Sequence, residues 1–295
     1  MAGVKIALVG SGATAAITLL ELLATPHDHQ IRIVARNSER ALAALMDAAS
    51  AFPIAAQQAG VGSRQDVSQA DLVIICAGAQ MAVDEAPKAV LETNAAIVRD
   101  YLSEGVSPGA VIVLVGTPVD DLTAVLGSAG IVEKRRVIGF GGDLDTARLK
   151  YVLAGDGDPG AGDALCIGEH GSRTVPVYAS ERDYAGVAAR VRGTIKAITA
   201  QAGPPRNLAT GVWLSRLATN AAGRAGGESV VCGYMPELDL YLTWPRHISR
   251  DGLAPPSDMQ LGPEASAALR ALILRKREEH GALASLSARL FHVSP

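Results

Sequence analysis

The first half of the chain alternates short apolar runs with longer segments of helical spacing, and that alternation leaves few folds open. KIALVG (5–10), IRIVA (31–35), DLVIICAG (71–78), AVIVLVG (110–116) and RRVIGFGG (135–142) are rich in β-branched residues and end on small ones. Between them, ATAAITLLELLAT (13–25), SERALAALMDAAS (38–50) and APKAVLETNAAIVRDYLSEG (86–105) repeat apolar residues at helical intervals. Strands that are apolar throughout need cover on both faces, so the pattern predicts a parallel sheet between two helical layers. Right-handed crossovers then make the fold α/β, a Rossmann doubly wound parallel sheet.

Near residue 143 the pattern changes. LDTARLKYVLAG (144–155) reads as a helix, ALCIG (164–168) as a strand, GYMPELDLYLTWPRHISRDG (233–252) as turn-rich, and residues 262–290 as a long terminal helix with Pro263 and Glu264 at its start. The expected organisation is a dinucleotide-binding domain over 1–143, followed by a closely packed α+β catalytic domain over 144–295.

With 295 residues, 48% of them hydrophobic, the chain is long enough for real cores. A net charge of −3, well mixed in sign, gives no field for nucleic acid. Cys76, Cys166 and Cys232 are odd in number and far apart, which suggests reduced thiols, a cytoplasmic location and no metal site. No apolar stretch is long enough to span a membrane, and the first run is too short for an export signal.

Gly10-Ser11-Gly12-Ala13-Thr14-Ala15 follows the first strand and opens the first helix. Glycines there let the backbone approach a pyrophosphate, which the amides of residues 11–14 would cradle at the helix start. A strand-two carboxylate would grip the ribose 2′-hydroxyl of NAD. Here the strand is followed by Arg36, Asn37 and Ser38. Without the acid a 2′-phosphate is not repelled, and Arg36 can pair with it, so NADP is preferred over NAD. In the alternative, Arg36 stacks on adenine or faces solvent.

CIGEHGSRTVPVYA (166–179) sets His170 between Glu169 and Gly171. A lone histidine is more often structural than catalytic, so its meaning depends on partners elsewhere. Several stretches taken together supply them. VIGFGGDLDTARLKYVLA (137–154) and the histidine stretch resemble the catalytic segments of the L-lactate/malate dehydrogenase family. ICAGA (75–79), LETNAAIV (91–98) and VGTPVDDLT (115–123) resemble its cofactor-side segments in order and spacing, and LYLTWPRHISRDG (240–252) its late hairpin.

The resemblance implies a hydride transfer to a carbonyl carbon with a proton delivered to its oxygen. His170 matches the general acid, Asp145 the carboxylate that orients it, and Arg148 the fork that binds the substrate carboxylate. Ala77, Gly78, Asn94 and Val115 match cofactor-side positions. The partner is a small-molecule carboxylate, and the family implies a homodimer or homotetramer. The stretch 206–223 matches the helix that lines the substrate side.

The chain also departs from the family. Its mobile lid carries an arginine that polarises the carbonyl, and that position falls here on Pro87; residues 65–98 contain no arginine. Lys88 is one step away but lacks the planar fork. The specificity position falls on Met81, and Asp84 and Glu85 make the lid acidic. Thr117 replaces an asparagine that contacts substrate, and Arg173 is a second candidate cation. These changes point away from a dicarboxylate, towards an atypical substrate and specialised biosynthesis. An ordinary NAD-dependent lactate or malate dehydrogenase, an imine reductase and a non-catalytic dinucleotide sensor remain open.

Overall fold

Six strands realise the alternating pattern as one parallel array. They are β1 (Lys5–Val9), β2 (Gln30–Val34), β3 (Ala59–Val61), β4 (Leu72–Ile75), β5 (Val111–Leu114) and β6 (Val137–Phe140), paired in the order β3-β2-β1-β4-β5-β6. The computed structural model describes residues 3–25, 28–79, 87–179, 183–200 and 207–291. The connections reverse direction between β1 and β4, which opens a crevice at the carboxyl ends of these strands, where ligands bind such sheets.

The central strands β1, β4, β5 and β6 are buried on both faces apart from Lys5, as their uninterrupted apolar runs require, while β3 forms the half-exposed edge. Ile6 and Leu8 of β1 enter one core with α1 (Ala13–Ala24), while Ala7 and Val9 enter the other with α4 (Leu91–Tyr101) and α5 (Val119–Ser128). The helix α2 (Ser38–Ala51) follows β2, and a short α3 (Arg64–Ser68) follows β3. The Ala-Gly-Val of β3 and the five residues of α3 are too brief for periodicity to reveal.

The second half contributes α6 (Gly142–Gly155), β7 (Leu165–Ile167), β8 (Val175–Val177), α7 (Tyr184–Thr199), α8 (Leu208–Ala222), β9 (Gly227–Met235), β10 (Leu240–Ser249), β11 (Gly252–Leu253) and α9 (Pro263–Phe291). The β7–β8 hairpin stands apart, but β9 pairs antiparallel with β6 through Gly139↔Cys232 and Phe140↔Val231. Described strands β9, β10 and β11 thus extend the Rossmann sheet to nine strands. Residues of α8 share the core of α1, and Leu286 of α9 joins that of α4 and α5. The second half is therefore α+β and built onto the first. No described helix is long and apolar enough to cross a membrane.

Candidate active site

The crevice begins at the first turn. Gly10 has φ +120°, and an added Cβ would lie 3.1 Å from the Ala77 backbone nitrogen, so only glycine lets the chains after β1 and β4 run this close. Gly12 caps α1 with no side-chain hydrogen bond, no acid in the first turn, and open space where a Cβ would stand. Gly12 and Ala13 are exposed, and Ser11 and Thr14 half-buried. The exposed amides and the positive end of α1 suit a pyrophosphate. The Thr14 hydroxyl donates to Asn207 Oδ1 at 2.9 Å, which brings the residue before α8 to the same rim.

Beside the end of β2 lies a cavity of about 440 Å³ whose lining includes Arg36, Thr93, Ile97, Asp100 and Tyr101. The Arg36 backbone N–H donates to the Tyr101 hydroxyl at 3.2 Å. Asp100 pairs with Arg64 at 2.5 Å and Glu92 with Arg289 at 3.1 Å, so both acids near Arg36 are engaged by other cations. Asn37 uses its side-chain oxygen to cap α2, accepting the Arg40 N–H at 2.8 Å. Ser38 is exposed as the first residue of that helix.

At the ends of β4 and β5, Asn94 is buried, and its amide accepts from Ala79 N at 2.7 Å and donates to Thr117 O at 2.6 Å. Its side chain thus clamps two crevice loops together. The geometry places Gly78 against it, Val115 half-buried on the rim, and Thr117 exposed. Met81, Asp84 and Glu85 lie outside the described residues. The backbone of Lys88 falls in the single turn Pro87–Val90, and its side chain is outside what is described.

At the end of β6, Gly141 and Gly142 let α6 start against β9. A Cβ on Gly142 would meet Val230 O at 2.5 Å. From the first turn of α6 the fully buried Asp145 reaches three groups. Oδ2 lies 2.9 Å from His170 Nδ1 and accepts the Gly171 N–H at 2.8 Å, while Oδ1 accepts from Arg148 at 3.1 Å. With Nδ1–H donating to Asp145, Nε2 is the ring nitrogen left for proton transfer, on a side chain that is partly exposed. Burial alone would lower the His170 pKa, but the Asp145 charge and hydrogen bond outweigh it and raise the value above the ordinary histidine range. Burial also pushes Asp145 up, yet the same pairing holds it below the usual carboxylate range.

His170 is held from its other side as well. Gly168, at φ +91°, exchanges backbone hydrogen bonds with Thr243 of β10 at 2.8 and 2.9 Å. Asp120 of α5 accepts the His170 backbone N–H at 3.0 Å and the Thr243 hydroxyl at 3.0 Å. Sequence reasoning missed Asp120; the signal was an acidic pair in an otherwise apolar helical stretch, VDDLTAVL. Arg173 is paired with Glu169 at 2.7 Å and with Glu279 at 3.6 Å, so it serves the wall behind His170. Among the described residues no cluster of three or more His, Cys, Asp or Glu side chains is placed to hold a metal.

Known proteins resemble this chain in sequence and in fold. Residues 4–139 match the model of the lactate/malate dehydrogenase NAD binding domain. The chain is 34% identical to L-lactate dehydrogenase A of Rhizopus oryzae over 171 residues, covering 57% of this chain and 53% of that protein. It is 32% identical to L-lactate dehydrogenase of Bacillus caldotenax over 197 residues, covering 64% and 61%. The matched stretch thus spans less than two thirds of these relatives. Malate dehydrogenase from Archaeoglobus fulgidus, solved with NADH, superposes with a TM-score of 0.80 at 21% identity over 95% of this chain and 99% of that one. Minor L-lactate dehydrogenase from Enterococcus mundtii gives 0.79 at 18% identity over 97% and 98%. At these identities the likeness is one of fold.

Proposed function

We propose that the chain, whose residues 4–139 match the NAD binding domain of the lactate/malate dehydrogenase family, is a member of that family and an oxidoreductase reducing a 2-oxo acid to a 2-hydroxy acid with NADPH in preference to NADH. The observation that carries the reading is the Asp145 carboxylate, which touches both His170 and Arg148 and so sets a proton donor and an anion-binding fork at one end of the crevice.

The residues fit a dinucleotide: the Gly10 turn that a Cβ would close, the acid-free start of α1, and the cavity beside Arg36. When bound, the nicotinamide supplies the hydride. The Arg148 guanidinium pairs with the substrate carboxylate and fixes which carbonyl is presented. His170 then gives its Nε2 proton to the carbonyl oxygen as that oxygen gains charge, and Asp145 stabilises the imidazolium beforehand and keeps the ring in place. Asn94 keeps the loops after β4 and β5 at a fixed spacing.

Arg36 supports the NADP preference: among the described residues no carboxylate lies within ion-pair distance of it, which leaves its guanidinium for a 2′-phosphate. The missing lid arginine and Met81 support a substrate with an apolar or cationic side chain instead of a second carboxylate, in specialised biosynthesis. We assign the dinucleotide half to 1–143, the catalytic half to 144–295, and the assembly to a homodimer or homotetramer. The curated relatives favour a second reading, an NAD-dependent lactate or malate dehydrogenase.

Oxidation of NADPH and NADH, followed at the reduced-nicotinamide absorbance band, tests both. The panel holds pyruvate, oxaloacetate, branched, aromatic and cationic 2-oxo acids, and cyclic imines. NADPH turnover of bulky or cationic 2-oxo acids is expected. Rapid NADH turnover of pyruvate or oxaloacetate would favour the second reading. Silence with cofactor bound would overturn both.

A further inference from the structure

Behind His170, four charged side chains share one buried spot. Asp120 and Asp121 of α5, Glu169 of the histidine loop and Lys276 of α9 are 2–7% exposed. Lys276 Nζ lies 3.2 Å from Glu169 Oε2 and 3.9 Å from Asp121 Oδ1. Arg173 closes the cluster from the loop, with Glu279 of α9 beyond it. Removing ions from water is costly, so such a cluster is a poor source of stability. What it does hold is the peptide of His170, through the Asp120 carboxylate.

We propose that Lys276 is a positioning residue for the proton donor: its buried ammonium is the counter-cation that lets Glu169, Asp120 and Asp121 stand together as anions and clamp the His170 backbone to α5 and α9. The imidazole is thereby fixed from two sides, by Asp145 at the ring and by this cluster at the main chain. Without Lys276, three neighbouring carboxylates face one another in the interior and disfavour their own ionisation. Burial already pushes the Glu169 carboxyl up, with Lys276 as the first opposing influence. The loop must then protonate an acid or swing Glu169 outward, and either change releases the His170 peptide and slackens the ring against Asp145. The charged groups acting on the imidazole are Asp145 and Arg148 from α6 and Asp120 from α5. The cluster behind it holds Asp121 of α5, Glu169 and Arg173 of the histidine loop, and Lys276 and Glu279 of α9, with the Cys232 thiol of β9 at its border.

The proposal rests on the reductase reading for its chemistry, and its test separates the two. In the full-length protein, Lys276→Met is expected to lower kcat about ten- to hundredfold, to leave KM for the 2-oxo acid and the binding of NADPH nearly unchanged, and to move the limb of the pH profile that reports His170 to lower pH. Lys276→Arg should restore most of the loss. Unchanged kcat and pH profile, or a loss spread equally over cofactor binding, KM and kcat, would overturn the role. If Lys276→Met fails to fold, Lys276→Gln, which removes the charge but keeps a polar side chain, is expected to shift the profile the same way. Should the wild type turn over no 2-oxo acid, the reductase reading fails, but NMR titration of the His170 ring still decides this one. A lower pKa in Lys276→Met that Lys276→Arg reverses supports the clamp; an unchanged or higher value overturns it.

Discussion

His170 Nδ1 and Asp145 Oδ2 stand 2.9 Å apart although the residues lie on different elements, one past β7 and the other in the first turn of α6. The contact forms because α6 starts tight against β9 while β10 bridges Gly168, which folds the histidine loop back over the helix start. A carboxylate with no solvent exposure then has its negative charge matched by a ring that must become positive to act.

Asp145→Asn removes that charge and keeps the shape. The His170 pKa is raised in the folded protein, so reduction should persist above the ordinary histidine pKa and fade only as pH rises through the raised value. The stability that the raised His170 pKa contributes follows the same course: it is fully present below the unfolded histidine pKa and lost as pH rises through the folded one, while the part due to the lowered Asp145 pKa is lost as pH falls through that value. In Asp145→Asn the limb should move to lower pH and kcat near neutrality should fall by about 10²–10⁴-fold. A kcat–pH profile checks this, and a limb that stays in place would exclude Asp145 as its cause.

Arg36→Asp restores a carboxylate after β2. It should repel a 2′-phosphate and accept from a ribose 2′-hydroxyl, so the preference should turn from NADPH towards NADH. A charge-assisted contact worth roughly 1.5–3 kcal/mol corresponds to a change of about ten- to hundredfold in the ratio of kcat/KM values. An unchanged ratio would place Arg36 on adenine or in solvent.

How much of this was legible in the sequence depended on distance along the chain. Gly10, Asp145, Arg148 and His170 sit in short motifs where neighbours state the context, and their geometry follows the motif. Asn37 and Asn94 were legible as polar residues at the crevice, yet each spends its side chain on backbone groups, a use that sequence cannot separate from ligand contact. Asp120 and Lys276 were not legible, because a buried acid and its cation come from helices more than a hundred residues apart. The same holds for β9 on β6: strand pairing over that distance is set by packing, and no local period encodes it.

Gly141→Ala should injure the site from within. The new Cβ would fall 2.4 Å from His170 Cγ and 2.7 Å from Nδ1, so the ring must leave Asp145. Overpacking of this kind costs about 1–3 kcal/mol of stability. The activity loss should exceed tenfold, while NADPH affinity holds, because the Gly10 turn and Arg36 are untouched. Paired calorimetric and kinetic measurements check this, and full activity would mean that the ring has room the structure denies it.

Asp143→Asn should reveal a carboxylate whose ionisation burial opposes. Asp143 accepts the Val230 N–H at 2.7 Å, tying α6 to β9, and burial pushes its pKa up to about 6, against that bond and one from the Ser229 side chain. Between the ordinary carboxylate pKa near 4 and this raised value, the folded protein holds a proton that the unfolded chain has lost, so this group makes stability fall as pH rises across that interval. An amide still accepts the Val230 N–H and carries no charge to desolvate. The variant should therefore melt higher than the wild type at pH 7–8, by an amount on the order of 2 kcal/mol, and the difference should vanish near pH 4. Melting curves of both proteins across that range decide it. A destabilised variant at neutral pH would mean that the ionised carboxylate, and not merely its shape, holds α6 against β9.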